Sequence, residues 1–258
     1  MIKLDNTRLL GHRGARHEAL ENTLFGFEYA YNLRTQGLAG IEFDVQLTAD
    51  GHLVVFHDET LYRLCGVQSR IDQLSLVEVQ RHLQSGHPII TLDRLAALLC
   101  ADSESLARSS LPQSASAPFT HIELEIKTHK RTPYPALIQA LTRYLTDSPL
   151  ASLPIVLTSF DVQLLAHLQR HKVLSTFSRG LLIQAPRLLK SAPRTALQLG
   201  CTQLGIHYPL LTPTFIQQCH RLNLSVSAWT VNDIDMVQQL VKWQVNVIIT
   251  DIPAQLLQ

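Results

Sequence analysis

The sequence has little of several features that define common protein classes. Its formal net charge is only +1 over 258 residues and no block of like charges occurs, so no general attraction to nucleic acid or to an anionic membrane is expected. No apolar run reaches the roughly 18 residues that a membrane helix needs, and the opening MIKLDNTRLLGHRG lacks the apolar stretch of a signal peptide. We therefore predict a cytoplasmic protein without stable membrane association.

Paired cysteines and glycine-rich phosphate loops are also missing. The four cysteines are scattered without CxxC spacing, which favours reduced, buried thiols over disulfides. Neither GxGxxG nor GxxxxGK[ST] occurs, which counts against the nucleotide-binding folds that carry those loops. Hydrophobic residues make up 46% of the chain and charged residues only 17%, so we predict a single domain with a large core over residues 1–258.

What the sequence does contain is a strand followed by a helix, repeated about eight times, which predicts parallel strands joined by helical crossovers. A (β/α)8 TIM barrel, in the α/β class, typically needs about 250 residues and fits best; an open doubly wound sheet is the alternative. We predict a short insertion after the second strand, at residues 63–90. We also predict a surface loop at residues 103–118, which are rich in Ser, Ala and Pro. The second predicted strand begins at residue 40, and the others lie at residues 9–13, 121–127, 155–160, 180–184, 203–206, 225–231 and 247–250.

The stretch 40–58, GIEFDVQLTADGHLVVFHD, is the most informative of these. Glu42 and Asp44 are two residues apart, so in a strand both point to one face while their apolar neighbours point to the other. Two like charges on one strand face repel unless a cation or a proton intervenes. His57 follows after a tight turn and a second extended run. For the two carboxylates alone, a solvated strand face is the alternative interpretation.

Polar and aromatic residues also stand at the ends of other predicted strands. In residues 121–127, charged side chains alternate with aliphatic ones. The active site of a (β/α)8 barrel lies at the carboxyl ends of its strands, so residues there are expected to converge. Five predicted strand ends carry such residues: His12 and Arg13; Glu42 and Asp44; Glu123, Glu125 and Lys127; Ser159 and Phe160; and Trp229.

The carboxylates Glu42, Asp44 and Glu125 predict a site for a hard divalent cation, Mg²⁺ or Ca²⁺. A cation beside Arg13 and Lys127 concentrates positive charge, which suits an anionic substrate such as a phosphate ester.

Two histidines complete the predicted chemistry. His12 and His57 are candidates for general base and general acid, because imidazole titrates nearest to neutral pH. Phe160 and Trp229 either line the apolar side of the substrate or pack in the core.

In its motifs the sequence resembles the glycerophosphodiester phosphodiesterase family. HRG at 12–14, ENT at 21–23, ExD at 42–44, DG at 50–51 and HD at 57–58 occur in the order typical of that family. ELEIK, LTSF, AWTVND and IITDIP follow, so the resemblance runs from about residue 9 to residue 253. The sequence departs from the pattern at Leu20, where proline is common, and at Glu123, where asparagine is frequent; Glu123 adds a fourth acid near the predicted metal.

The resemblance implies a TIM barrel and a metal-dependent hydrolase that converts small glycerophosphodiesters to glycerol 3-phosphate and an alcohol. It implies metal binding by Glu42, Asp44 and Glu125, acid–base chemistry by the two histidines, and phosphate binding by Arg13 and Lys127. Asn22, Glu123 and Ser159 are further candidates for the site. We expect a monomer or homodimer that serves glycerol and lipid metabolism.

Three alternatives to this function stay open at this point: two other activities and one non-enzymatic role. A phospholipase D-like activity on lysophospholipids needs an apolar surface around the mouth, and the insertion at 63–90 is mostly polar. A lyase or aldolase needs Lys127 to be deprotonated for imine formation, and Glu125 opposes that. A barrel that binds a phosphodiester without turnover is the non-enzymatic possibility.

Overall fold

The structure, a computed structural model, describes residues 2–82, 87–100 and 119–258. The strands in these ranges are β1 (Arg8–His12), β2 (Gly40–Leu47), β3 (Leu53–Val55), β4 (Ile90–Thr91), β5 (His121–Ile126), β6 (Ile155–Ser159), β7 (Ser178–Ile183), β8 (Gln203–His207), β9 (Ser225–Trp229) and β10 (Val247–Thr250). The α-helices are α1 (Leu24–Asn32), α2 (Tyr62–Cys65), α3 (Leu76–His82), α4 (Leu92–Leu99), α5 (Tyr134–Thr146), α6 (Val162–Arg170), α7 (Pro186–Leu189), α8 (Ala192–Gln198), α9 (Pro213–Arg221), α10 (Ile234–Lys242) and α11 (Pro253–Leu257). The surface loop expected at 103–118 lies outside the described residues.

Eight of the strands form a closed parallel barrel. Each neighbouring pair in the order β1, β2, β5, β6, β7, β8, β9, β10 is parallel, and β10 pairs with β1 to close the ring. Closure removes the exposed strand edges that an open sheet would present. The predicted (β/α)8 barrel is therefore confirmed, and the open doubly wound sheet is not formed.

The helices cover the outside of the barrel because each presents one apolar face. In α4, Leu92, Leu95, Ala96 and Leu99 are buried, as their spacing predicts. Several helices begin at a capping side chain: the Thr23 hydroxyl accepts a hydrogen bond from the Gly26 amide at α1, and Asp161 and Asp233 cap α6 and α10. Such caps fix where each helix leaves the mouth of the barrel.

The predicted insertion at 63–90 is also present, and from here on the insertion means the described part of residues 53–91, from β3 to β4, which includes His57. β3 runs antiparallel to β2, and β4 runs antiparallel to β3, so the chain folds back at the barrel mouth before α4 returns along the outside. The insertion has a small apolar core of its own, apart from the main core: Val54, Phe56, Leu61, Ile71, Val79 and Ile89. This arrangement brings His57 to the mouth of the barrel.

Several boundaries differ from the sequence-based expectation by one or two residues. β1 ends at His12 because Arg13 has a φ of 52°, in the left-handed region, where the strand cannot continue. β6 ends at Ser159 and β9 at Trp229, so Phe160 lies just beyond its strand. All four cysteines lie in the described ranges and are free; Cys201 and Cys219 are buried as expected, whereas Cys65 and Cys100 are only half-buried.

None of the helices in the described ranges has both the length and the apolar character needed to cross a membrane. The prediction of one domain over the whole chain stays a prediction.

Candidate active site at the barrel mouth

The site begins at the carboxyl end of β1, where the chain turns sharply. Gly14 has a φ of 93°, and a Cβ there would lie 2.8 Å from the carbonyl oxygen of Gly26, so only glycine fits. The left-handed conformation of Arg13 directs its backbone amide towards Glu42, whose Oε2 accepts a hydrogen bond at 3.2 Å. The HRG motif therefore joins β1 to the carboxylate strand β2.

Three carboxylates from two adjacent strands form a compact cluster. β2 and β5 pair so that Asp44 lies opposite Glu125, and Glu42 projects from the same face of β2 as Asp44. One oxygen from each of Glu42, Asp44 and Glu125 lies within 4.8 Å of the other two. Glu42 and Asp44 are buried inside the barrel, so the solvated strand face that was the alternative for this pair is not formed.

The electrostatics of the cluster reflect its burial. Burial and the negative charges of Asp44 and Glu125 raise the pKa of Glu42 well above its ordinary value. Burial also raises the pKa of Glu125 to about 7, and Asp44 adds to this effect although Lys127 opposes it. Burial acts on Asp44 in the same direction, but Lys127 and Arg13 outweigh it and hold the pKa of Asp44 well below its ordinary value.

The two cations of the site lie directly against these carboxylates. Lys127 Nζ is 2.6 Å from Glu125 Oε1 and 2.9 Å from Asp44 Oδ1, and Arg13 Nε is 3.3 Å from Asp44 Oδ2. Burial alone would lower the pKa of Lys127, but Asp44 and Glu125 raise it above its ordinary value. The lysine is therefore protonated, which removes the nucleophilic amine that a Schiff-base lyase requires.

His12 is held by a carboxylate behind its ring. Its Nδ1 lies 2.6 Å from Asp251 Oδ1, and Asp251 in turn accepts a hydrogen bond from the Asn232 amide at 2.7 Å. The His12 and Asn232 hydrogen bonds hold the pKa of Asp251 at about 2 although burial opposes them, so this carboxylate is ionised at neutral pH. Nδ1 therefore donates, and the Nε2 lone pair of the neutral ring is left for the site, 3.8 Å from Glu42 Oε2.

His57 has the same arrangement on the insertion. Its Nδ1 lies 2.7 Å from Asp58 Oδ1, which leaves Nε2 available. Burial is the main cause that lowers the pKa of both histidines below the ordinary value, against the opposing effect of their carboxylate neighbours. Both rings are thus neutral near pH 7 in the absence of bound substrate.

One cavity of about 190 Å³ is lined by both histidines, both cations, Glu42 and Glu125. Phe160 and Trp229 form an aromatic wall of this cavity, with their rings edge to face and their centroids 5.6 Å apart. Trp229 also lies against His207, with 5.4 Å between ring centroids. The remaining residues that line the cavity are Arg16, Glu123, Thr158, Leu182, Gln184, Thr230 and Ile249.

The three further candidates occupy different positions. Asn22 donates a hydrogen bond to Asp44 Oδ2 at 3.1 Å, while its own buried Oδ1 has no hydrogen-bond partner among the described residues. Glu123, on β5, lies opposite Glu42 of β2 and lines the cavity. Its carboxylate is 3.3 Å from His121 Nε2 and does not join the three-carboxylate cluster. The Ser159 hydroxyl donates to the backbone oxygen of Ile126 and so braces two strands.

Sequence reasoning did not place three acids among the candidate site residues, although each contacts one of them. Asp251 directly follows β10, and its position at a strand end was the signal that could have identified it. Glu21 belongs to the ENT motif and lies 2.8 Å from Arg13 Nη1, and Asp58 belongs to the HD motif. Their partners depend on how the chain folds, so the motifs alone did not reveal their contacts.

The cluster fits a divalent cation chemically. Its three carboxylates offer hard oxygen ligands, and the unpartnered Oδ1 of buried Asn22 is a further neutral oxygen beside Asp44. Burial raises the pKa of Glu42 and of Glu125, neighbouring carboxylates add to this effect, and a bound cation would oppose it by favouring the ionised forms. Fold and site together thus define a (β/α)8-barrel protein with a carboxylate cluster and two carboxylate-supported histidines.

A profile of the glycerophosphoryl diester phosphodiesterase family matches residues 12–255. A glycerophosphodiester phosphodiesterase from Caldanaerobacter subterraneus subsp. tengcongensis is 27% identical over 97% of this chain and 96% of its own length. A phosphodiesterase from Oleispira antarctica, solved in complex with the product sn-glycerol-3-phosphate, superimposes with a TM-score of 0.77 at 22% identity, covering 96% of this chain and 94% of that one. A glycerophosphodiester phosphodiesterase from Thermotoga maritima gives a TM-score of 0.70 at 22% identity, with 96% of each chain covered.

The chain belongs to the glycerophosphoryl diester phosphodiesterase family. The family assignment and the assignment as an enzyme of this class, both expected from the sequence, are confirmed. The roles of individual residues in the reaction stay predictions.

Proposed function

We propose that this protein hydrolyses glycerophosphodiesters to glycerol 3-phosphate and an alcohol, by acid–base chemistry of His12 and His57 beside a bound divalent cation. The observation that carries the proposal is that two carboxylate-supported imidazoles and two cations line one cavity together with Glu42 and Glu125 of the three-carboxylate cluster. Each imidazole keeps Nε2 for the substrate because its Nδ1 faces a carboxylate, Asp251 or Asp58. A cavity of this size accepts a small polar molecule.

Binding of the phosphate falls to Arg13 and Lys127. Both line the cavity, and both are held in place by carboxylates, which reduces the loss of side-chain entropy when an anion binds. Glu42, Asp44 and Glu125 would hold the cation, Mg²⁺ or Ca²⁺ by the preference of these ions for oxygen ligands. When bound, it supplies Lewis-acid stabilisation of negative charge on the phosphate.

Two routes lead to the same products. In the first, the C2 hydroxyl of the glycerol attacks phosphorus, one histidine takes its proton, and the other protonates the departing alcohol as the P–O bond breaks; water then opens the cyclic phosphate. In the second, water attacks phosphorus directly. Attack from within the substrate gains proximity without a protein nucleophile. A substrate analogue that lacks the C2 hydroxyl separates the routes, because it is hydrolysed only by direct attack of water.

A second candidate is hydrolysis of lysophospholipids. A lysophospholipase D from Homo sapiens is 30% identical over 69% of this chain and 57% of its own length. An apolar groove of about 450 Å³ lies beside the loop that carries Glu21, and Leu20, Phe25, Pro88 and Ile89 are among its lining residues. Phe25 is 64% exposed, so the groove offers an apolar surface to an acyl chain. Release of choline from lysophosphatidylcholine tests this candidate.

A lyase and a non-catalytic binding protein have less support. The ion pairs of Lys127 with Glu125 and Asp44 keep the amine protonated, which argues against a lyase that forms an imine. The intact set of histidines, carboxylates and cations argues against a barrel that only binds its ligand. The cytoplasmic location and the monomeric or homodimeric state stay predictions.

The testing experiment is release of glycerol 3-phosphate from glycerophosphocholine, glycerophosphoethanolamine and glycerophosphoglycerol. We expect release that is lost in EDTA, restored by Mg²⁺ or Ca²⁺, and lost in His12→Ala. His52→Ala, in the β2–β3 turn, is the matched control and should keep its activity. Absence of release from all three substrates, with metal binding demonstrated by calorimetry, would contradict the proposal.

A further inference from the structure

The insertion after β2 carries His57 but belongs only partly to the barrel. Leu53, Val55 and Ile90 of β3 and β4 belong to the main core, whereas the apolar side chains of the outer part form a separate small core. β3 pairs with β2, and the Gln46 amide donates to the backbone oxygens of Phe56 and Asp58. These contacts hold the base of the insertion, and a further attachment lies near the site.

Arg63, in α2, provides that attachment. Its Nε and Nη2 donate to the two carboxylate oxygens of Asp58 at 2.6 Å and 3.2 Å. Its Nη1 and Nη2 donate to the two oxygens of Glu21 at 2.9 Å and 2.7 Å. One planar guanidinium thus makes two forked ion pairs, a geometry that a lysine cannot reproduce.

Each of the two carboxylates holds a different functional side chain. Glu21 also accepts from Arg13 Nη1 at 2.8 Å and lies 3.2 Å from Arg16 Nε. Asp58 faces His57 Nδ1 at 2.7 Å. A continuous series of charged contacts therefore runs from Arg13 through Glu21, Arg63 and Asp58 to His57, and it joins the end of β1 to the insertion.

We infer that Arg63 is a positioning residue, which orients the His57 ring through Asp58 and the Arg13 side chain through Glu21. The inference rests on the proposed function, since it assigns Arg63 to the alignment of the acid–base group with the phosphate. Arg63 lies outside the cavity lining and acts through the two carboxylates. Because its side chain is 40% exposed, a small cation in solution can reach the position it occupies.

The first test is steady-state kinetics of Arg63→Ala beside a matched control. We expect kcat for glycerophosphodiester hydrolysis to fall about tenfold or more, because small misplacements of reacting groups are costly, with a smaller change in KM. Added guanidinium ion should restore part of the loss, and Arg63→Lys should remain impaired. Arg70→Ala removes ion pairs to Asp72 and Glu59 in the same insertion without contact to the series, and it should stay within about twofold of the wild type.

A second measurement does not depend on turnover. Nitrogen-15 NMR of the imidazoles, with His57 assigned from His57→Gln, should show a donating Nδ1 in the wild type and in Arg70→Ala, and altered signals in Arg63→Ala. If the wild type hydrolyses no glycerophosphodiester but the His57 signals change in this way, the proposed function fails and the positioning of His57 stands. Unchanged His57 signals, or equal losses of kcat in Arg63→Ala and Arg70→Ala, would overturn the inference. If Arg63→Ala does not fold, Arg63→Lys takes its place in both measurements.

Discussion

The two halves of the barrel mouth differ in chemical character. The charged half consists of β1, β2, β5 and the insertion, and it contributes the histidines, carboxylates and cations of the cavity. The uncharged half consists of the ends of β6, β7 and β9. The described residues that it contributes to the cavity are Thr158, Phe160, Leu182, Gln184, Trp229 and Thr230, and none of them ionises near neutral pH.

The ionisable groups and the uncharged wall therefore come from different strands around one cavity. Because β1, β2 and β5 are direct neighbours, charges on their inward faces lie close enough to shift each other's pKa values. The aromatic wall contributes area and shape and leaves those charges unchanged. We therefore expect changes in the charged half to act mainly on kcat or stability, and changes in the uncharged half mainly on KM.

The largest expected effect is that of Asp44→Asn. The substitution removes one of the three clustered carboxylates and the partner of both Arg13 and Lys127. We expect kcat to fall by about a thousandfold, in the range for loss of a charge-stabilising group, and calorimetric affinity for Mg²⁺ or Ca²⁺ to fall with it. Asp5→Asn, at an exposed ion pair, is the control. Normal cation affinity in Asp44→Asn would remove Asp44 from the metal site.

The next effect concerns stability and its dependence on pH. The Arg63 and Arg13 contacts outweigh burial and hold the pKa of Glu21 at about 2, below its ordinary 4.5. A lowered carboxyl pKa contributes stability that is fully present above pH 4.5 and is lost as the pH falls towards 2. We expect Glu21→Gln to be less stable by about 3 kcal/mol at neutral pH in urea unfolding, with the gap from wild type closing towards pH 2. A gap that does not change with pH would rule out this charge contribution.

Asp251→Asn should have a smaller effect, measured here on turnover. An asparagine in this position can donate to Nδ1 of His12 and so favours the wrong tautomer of the ring. We expect kcat to fall between about tenfold and a hundredfold, because a misassigned proton impairs general acid–base catalysis. Asp235→Asn, at an exposed position in the first turn of α10, is the control. Equal activity of the two variants would show that His12 does not depend on Asp251.

The smallest effect is expected in the uncharged half. Trp229→Leu keeps an apolar side chain but removes the ring that packs against Phe160 and His207. We expect KM for glycerophosphocholine to rise about fivefold with kcat changed less, as for an interaction made equally in the ground state and the transition state. The measurement is a full kinetic comparison with Phe160→Leu. A fall in kcat as large as that of Asp251→Asn would contradict the separation of the two halves.

Much of this molecule could be predicted from local patterns. The alternation of apolar and charged residues in 121–127 predicted that Glu123 and Glu125 share one face of β5, and the leucine spacing of α4 predicted its buried face. Boundaries were less accurate where a single residue departs from regular geometry, as Arg13 does at the end of β1. Fold class and the composition of the charged cluster followed from the sequence because they depend on period and order along the chain.

The partners of the site residues were decided only by tertiary structure. Asp251 lies 239 positions from His12 and Arg63 lies 42 positions from Glu21, and no local pattern links either pair. Barrel closure brings β10 beside β1 and so places Asp251 behind His12, while the folding of the insertion over the mouth places Arg63 between Glu21 and Asp58. By itself the sequence determined which chemical groups the protein carries, because side-chain chemistry and strand period are local. Closure of the barrel and folding of the insertion over its mouth bring together residues that are far apart in the sequence. These two long-range features decided which groups face each other and which of them are ionised.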